Sequence, residues 1–227
     1  QTPYEVTPGE PASELMIRLE LKLVADVGLV GKPNAGKSTL LSRLTAARPK
    51  IADYPFTTLE PNLGIAQMPG EFGARRLVIA DIPGLIEGAA SGAGLGHEFL
   101  RHVERTRVLV HLLEIEPLDE SDPAENYRAI HRELEEYSQT LATKPQIVVV
   151  SKMDLLADAA DHAVAAELLE QAIGQPVFAI SSVSGDGMDK LLEECWRVVE
   201  QAKKVERTAD VPDSLEAPNP PPPPPPP

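Results

Sequence analysis

Residues 25–38 read ADVGLVGKPNAGKS, and this stretch decides the fold. An apolar run of buried-strand type ends at Val30 and passes straight into Gly31-Lys32-Pro33-Asn34-Ala35-Gly36-Lys37-Ser38. That octet fills every fixed position of G-x-x-x-x-G-K-[ST], and a helical pattern opens at Lys37 and runs on through Thr39. Strand, glycine loop and helix are the context the chemistry needs. The glycines let backbone N–H groups curl around phosphate oxygens, and the helix start adds the positive end of its dipole. Lys37 is placed to neutralise β- and γ-phosphates, and the Ser38 hydroxyl to ligate Mg²⁺. The octet and Thr39 therefore predict a nucleoside triphosphate site.

Outward from this loop, short apolar runs recur at 63–68, 77–80, 108–115, 146–150 and 177–180. Helical stretches at about 37–47, 97–105, 123–141, 161–172 and 188–205 alternate with them. Such alternation predicts an α/β fold: a P-loop NTPase with a mostly parallel, six-stranded sheet flanked by helices. Its ligands are expected at the carboxyl ends of the strands.

Composition agrees. The chain has 227 residues, 42% of them hydrophobic but only 4% aromatic, so the core must be aliphatic. One cysteine, Cys195, excludes a disulfide framework and a cysteine-based zinc site. No apolar run reaches the roughly 18–20 residues of a membrane span, and a cytoplasmic setting is expected. The net charge of −14 is carried entirely by residues 111–227, which argues against DNA as a partner of that half. Residues 1–16 read as a linker or the remnant of an upstream domain, 17–206 as the nucleotide-binding domain, and 207–227 as a Pro-rich tail ending in eight prolines.

Two further segments follow predicted strands. Asp81-Ile82-Pro83-Gly84 places a carboxylate where it can hold Mg²⁺, directly or through water, and puts the Gly84 N–H where it can sense a γ-phosphate. Ser151-Lys152-Met153-Asp154 offers a carboxylate for the N1–H and exocyclic amine of guanine, a donor pair that adenine lacks, with Lys152 lying along the base. Ser181-Ser182-Val183 then supplies backbone N–H groups for guanine O6. Guanine is favoured over adenine.

At these residues the chain resembles the Obg family of GTPases. The likeness is carried by LELKLVADVGLVGKPNAGKSTLL (19–41), ARPKIADYPFTTLEPNLG (47–64) and ADIPGLIEGAASGAGLGHEFLRHVERTRVLVHLL (80–113), and covers about residues 17–205. The resemblance implies a Ras-like G domain, a GTP/GDP switch, and a role in large ribosomal subunit assembly and stress signalling. It also implies GTP, GDP and the alarmone ppGpp as ligands. In Phe56-Thr57-Thr58, the residues alone leave both threonines open; the family register picks Thr58 as the one that closes on Mg²⁺. A glycine-rich loop at 84–96 is a candidate switching segment.

Two departures carry expectations. Leu85 stands where Ras-like enzymes have a water-orienting Gln, so intrinsic hydrolysis should be slow, near or below roughly 10⁻⁴ to 10⁻³ s⁻¹. Ser151 stands where the family has Asn, which should lower affinity while Asp154 keeps specificity. Asn34 is a candidate K⁺ ligand by likeness to related GTPases. The catalytic set is then Lys37, Thr58, Gly84 and Asn34, in a monomeric enzyme. Two other classes compete: a nucleotide-gated scaffold with incidental hydrolysis, and an ATPase of the adenine-binding sibling group. His97 and His102 read as surface or packing residues, His111, Cys195 and Trp196 as core.

Overall fold

The computed structural model describes residues 16, 25–45, 50–51, 62–70, 73–81, 103–156 and 158–209. Its strands are β1 (Ala25–Val30), β2 (Lys50–Ile51), β3 (Asn62–Met68), β4 (Arg75–Asp81), β5 (Thr106–Glu114), β6 (Gln146–Ser151) and β7 (Val177–Ala179). Its helices are α1 (Lys37–Leu44), α2 (Pro123–Tyr137), α3 (Gln139–Ala142), α4 (Ala159–Ile173) and α5 (Met188–Ala209), with a 3₁₀ turn at Met153–Leu155.

The strands form one sheet in the order β2-β3-β4-β1-β5-β6-β7. β4, β1, β5, β6 and β7 run parallel, and β3 pairs antiparallel with β4. The mostly parallel six-stranded sheet expected from the sequence is therefore present, and the two-residue β2 extends it, antiparallel to β3. Two residues hold no period-2 pattern, so nothing in the sequence announces that strand. Two helices also differ from expectation. α1 stops at Leu44 because Thr45 turns extended (φ −105°, ψ 135°) and bridges Ala66 of β3. The single helix expected over 123–141 is broken at Ser138 (φ −160°, ψ 127°), whose N–H still closes α2 on the Leu134 carbonyl.

Both sheet faces are covered, so the central strands are apolar on both sides instead of alternating. On one face Val27, Leu29, Val108, Val110, Leu112 and Val149 pack with Leu40 and Leu41 of α1 and Leu191, Cys195 and Val199 of α5. On the other, Leu109 packs with Ile130 and Leu134 of α2, and Leu113, Val148 and Val150 with Tyr127. Each such side chain contributes about 1.5–3 kcal/mol on burial. α2 starts cleanly: Asp122 accepts from the N–H groups of Ala124 (2.6 Å) and Glu125 (3.1 Å), and Pro123 follows at the first helical position.

The α2 face holds one polar exception. His111 of β5 is fully buried, its ring 5.0 Å from that of Tyr127, which stacks at 5.7 Å on His131. Both ring nitrogens of His111, the Tyr127 hydroxyl and Gln146 Oε1 have no hydrogen-bond partner among the described residues. On the opposite face, α5 is pinned by charge. Arg107 donates to Asp26 of β1 (2.9 Å) and to Glu206 of α5 (3.0 Å), while Arg75 and Lys203 lie 5.5 and 5.7 Å from the ring centre of Trp196. Strand order reverses about β1, so the carboxyl ends of β4, β1, β5 and β6 frame one crevice, into which the 31–38 loop opens.

Candidate nucleotide-binding site

The loop leaves β1 by a path that only glycine allows. Gly31 has φ 152°, and a Cβ there would lie 2.5 Å from the Leu112 carbonyl oxygen of β5. Asn34 (φ 66°) and Gly36 (φ 94°) complete the turn, and the Leu40 N–H to Gly36 carbonyl bond (2.8 Å) starts α1. α1 has no side-chain cap and no acidic residue in its first turn. Its first N–H groups and the positive dipole end thus face the crevice without a capping side chain from the helix itself.

Lys37 folds back along this loop. Its ammonium donates to the carbonyls of Gly31 (2.8 Å) and Lys32 (3.0 Å). Burial holds its pKa below the usual lysine value, and the charge of Asp81 works against that shift. Beside it the Ser38 hydroxyl hydrogen-bonds the Asp81 carboxylate at the end of β4. A hydroxyl and a carboxylate meeting at a helix N-terminus are the hard oxygen donors Mg²⁺ takes, so these two residues fit the ion. Asp81 is 4% exposed, so its carboxylate is an inward-facing donor.

A second cluster lies at the ends of β6 and β7. Ser151 is buried, and its hydroxyl lies 2.8 Å from the Ala35 carbonyl and 3.1 Å from that of Leu113. It is therefore a donor to the phosphate loop. Lys152, held at φ 62°, pairs its ammonium with Glu114 of β5. Asp154 accepts from the Ser181 hydroxyl at 2.6 Å, and that hydroxyl in turn accepts from the N–H groups of Val183 (3.2 Å) and Ser184 (3.0 Å). The Ser181 N–H is spent on the Asp186 carbonyl (3.0 Å). Of the three backbone donors expected from Ser181-Ser182-Val183, that of Ser182 has no partner among the described residues.

A loop carrying Lys37 and Ser38, a carboxylate at the end of the neighbouring strand and a carboxylate oriented at the end of β6 thus meet along one edge. A family model described as "50S ribosome-binding GTPase" matches residues 26–152, which takes in the loop and Asp81 and ends two residues before Asp154. The chain belongs to that family. Obg proteins are its relatives: it is 53% identical to GTPase Obg of Aquifex aeolicus (strain VF5), over 91% of this chain and 59% of that protein. It is 55% identical to GTPase Obg of Desulforudis audaxviator (strain MP104C), over 85% and 44%. The chain spans about half the length of the curated relatives it matches. A second model, described as ethanolamine utilisation – propanediol utilisation, matches residues 127–195. Among solved structures, the G domain of the T. maritima FeoB iron transporter superposes with a TM-score of 0.58 at 21% identity, covering 76% of this chain and 96% of that one. A variant of Aquifex aeolicus Era bound to GDP·AlF4⁻ does so at 0.54 and 23%, covering 77% and 56%. At those identities they show the shared fold.

Family members of this kind generally use Mg²⁺, in keeping with the Ser38–Asp81 pair. Phe56, Thr57, Thr58 and Gly84 lie outside the described residues, as do Leu85, the 84–96 loop, His97, His102 and the 210–227 segment. Residues the sequence did not single out also belong here. Glu114 neutralises Lys152, and Asp119, Ser121 and Asn126 gather around the ammonium of Lys32 at 2.9, 3.4 and 3.0 Å. Lys32 thereby sends its side chain to the β5–α2 connection, while its carbonyl serves Lys37.

Proposed function

We propose that this chain is a slow, Mg²⁺-dependent GTPase that works as a GTP/GDP switch. The observation that carries the reading is the oriented pair Asp154–Ser181 lying on the same strand edge as Lys37 and the Ser38–Asp81 pair. Base-reading and phosphate-reading groups then address one nucleotide. Each Asp154 oxygen can accept more than one hydrogen bond, so the Ser181 contact aims the carboxylate without consuming it. The Ser182 N–H suits guanine O6, and Lys152, neutralised by Glu114, lies along the base through its stem.

Gly31 to Thr39 enclose the phosphates through their N–H groups, and Lys37 transfers from its two carbonyls to phosphate oxygens. Ser38 and Asp81 would hold Mg²⁺, Asp81 directly or through water, with Thr58 as a further ligand. When bound, that ion neutralises charge on the β- and γ-oxygens. Gly84 senses the γ-phosphate. Asn34, exposed at the loop apex, would hold K⁺ and add positive charge where no arginine finger is supplied. We take residues 17–206 as this domain, with the last residues of α5 (to Ala209) running into the segment 207–227 read as a Pro-rich tail. By kinship with the Obg proteins, we place the switch in the cytoplasm as a monomer in large ribosomal subunit assembly and stress signalling, with ppGpp as a competing ligand. No helix among the described residues is long and apolar enough to cross a membrane.

Competition with a fluorescent guanine nucleotide in Mg²⁺ tests the reading. GDP should displace the probe at least 100-fold better than ADP, and GTP turnover should be faster in KCl than in NaCl. Equal displacement by ADP would overturn guanine recognition, and equal rates in the two salts would remove K⁺ from Asn34. Leu85 favours a second reading, a scaffold whose hydrolysis is incidental; capture of ribosomal subunits that is equal in the GTP and GDP states would count against any switch.

A further inference from the structure

We propose that Lys32 is a positioning residue that fastens the phosphate loop to the β5–α2 connection, so that the grip on nucleotide is set partly from α2. The inference rests on the guanine-nucleotide reading above and concerns a residue whose side chain that reading leaves without a role. The Lys32 ammonium donates to Asp119 Oδ2 (2.9 Å), Asn126 Oδ1 (3.0 Å) and Ser121 Oγ (3.4 Å). An ammonium has three protons, and these acceptors can take all of them.

The acceptors are themselves cross-braced. Asp119 Oδ1 accepts from the Ser121 hydroxyl (2.6 Å) and N–H (3.2 Å), and Asn126 Nδ2 donates to the Ser121 hydroxyl (2.8 Å). Glu120, between them, is held at φ 57°. The hydrogen bonds from Ser121 and Lys32 keep the Asp119 carboxyl well below the usual carboxylate range, so it stays charged at any working pH. Asn126 is 8% exposed on α2, which anchors the cluster to the core through its neighbour Tyr127.

The backbone of Lys32 explains why this fastening would be felt by nucleotide. Its carbonyl accepts from Lys37 Nζ (3.0 Å) and from the Ala35 N–H (3.3 Å). The side chain thus fixes the carbonyl that holds the phosphate-binding lysine ready. A cavity of about 360 Å³ is lined by the loop (Lys32–Ala35) and by α2 (Asn126, Ile130, Glu133), and the Lys32–Asn126 hydrogen bond joins the two. Without that brace the loop would order only on binding, and its lost freedom would come out of affinity.

GDP dissociation from the whole chain, followed with a fluorescent analogue, tests this. Lys32→Met should speed dissociation five- to tenfold, and Lys32→Arg should restore it to within about twofold of wild type. Asp119→Asn should speed it two- to fivefold, and the double variant Lys32→Met/Asp119→Asn should be no faster than Lys32→Met alone. A general loss of fold would move the thermal midpoint with the off-rate and would not be rescued by arginine. If Lys32→Met fails to fold, the exposed Asp119→Asn carries the test. Off-rates within twofold of wild type for both single variants, or strictly multiplicative effects in the double, overturn the inference. Wild-type chain that binds no GDP, with Lys37→Ala indistinguishable from it, would instead overturn the guanine-nucleotide reading.

Discussion

Ser151 shows how one side chain can serve two loops. Its hydroxyl joins the end of β6 to the Ala35 carbonyl of the phosphate loop and to the Leu113 carbonyl of β5. Deleting it by Ser151→Ala removes a neutral hydrogen bond to the phosphate loop, worth about 0.5–1.5 kcal/mol. That is roughly a 2- to 12-fold loss of affinity for GDP. The preference for GDP over ADP should persist, because Asp154 keeps its own support from Ser181. Competition binding checks both halves, and a collapse of discrimination would mean that Ser151 touches the base. Reading the sequence revealed that Ser151 matters but not how. The spacing of Lys37, Ser38, Asp81, Ser151 and Asp154 behind successive apolar runs made those five positions legible. Lys32 meets Asp119 and Asn126 across separations of 87 and 94 residues, and no local pattern encodes such a meeting.

At the scale of elements, the strand runs were legible because burial on both faces leaves them almost continuously apolar, as in Ile147–Val150. The break at Ser138 was not, since Leu134 and Leu141 keep a helical apolar rhythm across it while the backbone turns extended. The β5–α2 contact has a pH dependence of its own. Burial pushes the His111 ring down to about 3, helped by the charges of His131 and Lys37, while an unfolded histidine titrates near 6.5. Tyr127, whose ring packs against that of His111, is neutral in this range. Between these two values the unfolded chain binds the extra proton, so stability is complete above about pH 6.5 and falls as pH drops toward 3. From pH 7 to pH 5 this group should cost about 2 kcal/mol of unfolding free energy. Denaturant curves at the two pH values should show that loss in wild type, and His111→Leu should remove it. A slope unchanged by the substitution would place the effect on other groups.

For the whole molecule, charge is the distinguishing quantity. Residues 111–227 carry 23 acidic and 9 basic side chains, residues 1–110 carry 12 of each, and the sum is −14. Self-repulsion of that size weakens the compact state and is screened by salt, with a Debye length falling from about 14 Å at 0.05 M to about 4 Å at 0.5 M. Raising NaCl over that range should lift the Tm by several degrees; a fall would mean that attractive pairs such as Arg107–Asp26 and Lys152–Glu114 outweigh the repulsion. Trp196, with Arg75 and Lys203 over its ring, gives such experiments a convenient reading. It is the chain's one tryptophan, and it lies eight residues into α5, about 12 Å along the helix from its start beside the nucleotide edge. Its emission is therefore an optical gauge of whether α5 is docked on the sheet. A labelled nucleotide gauges the crevice separately, so loss of ligand and loss of fold can be told apart by colour in a single cuvette.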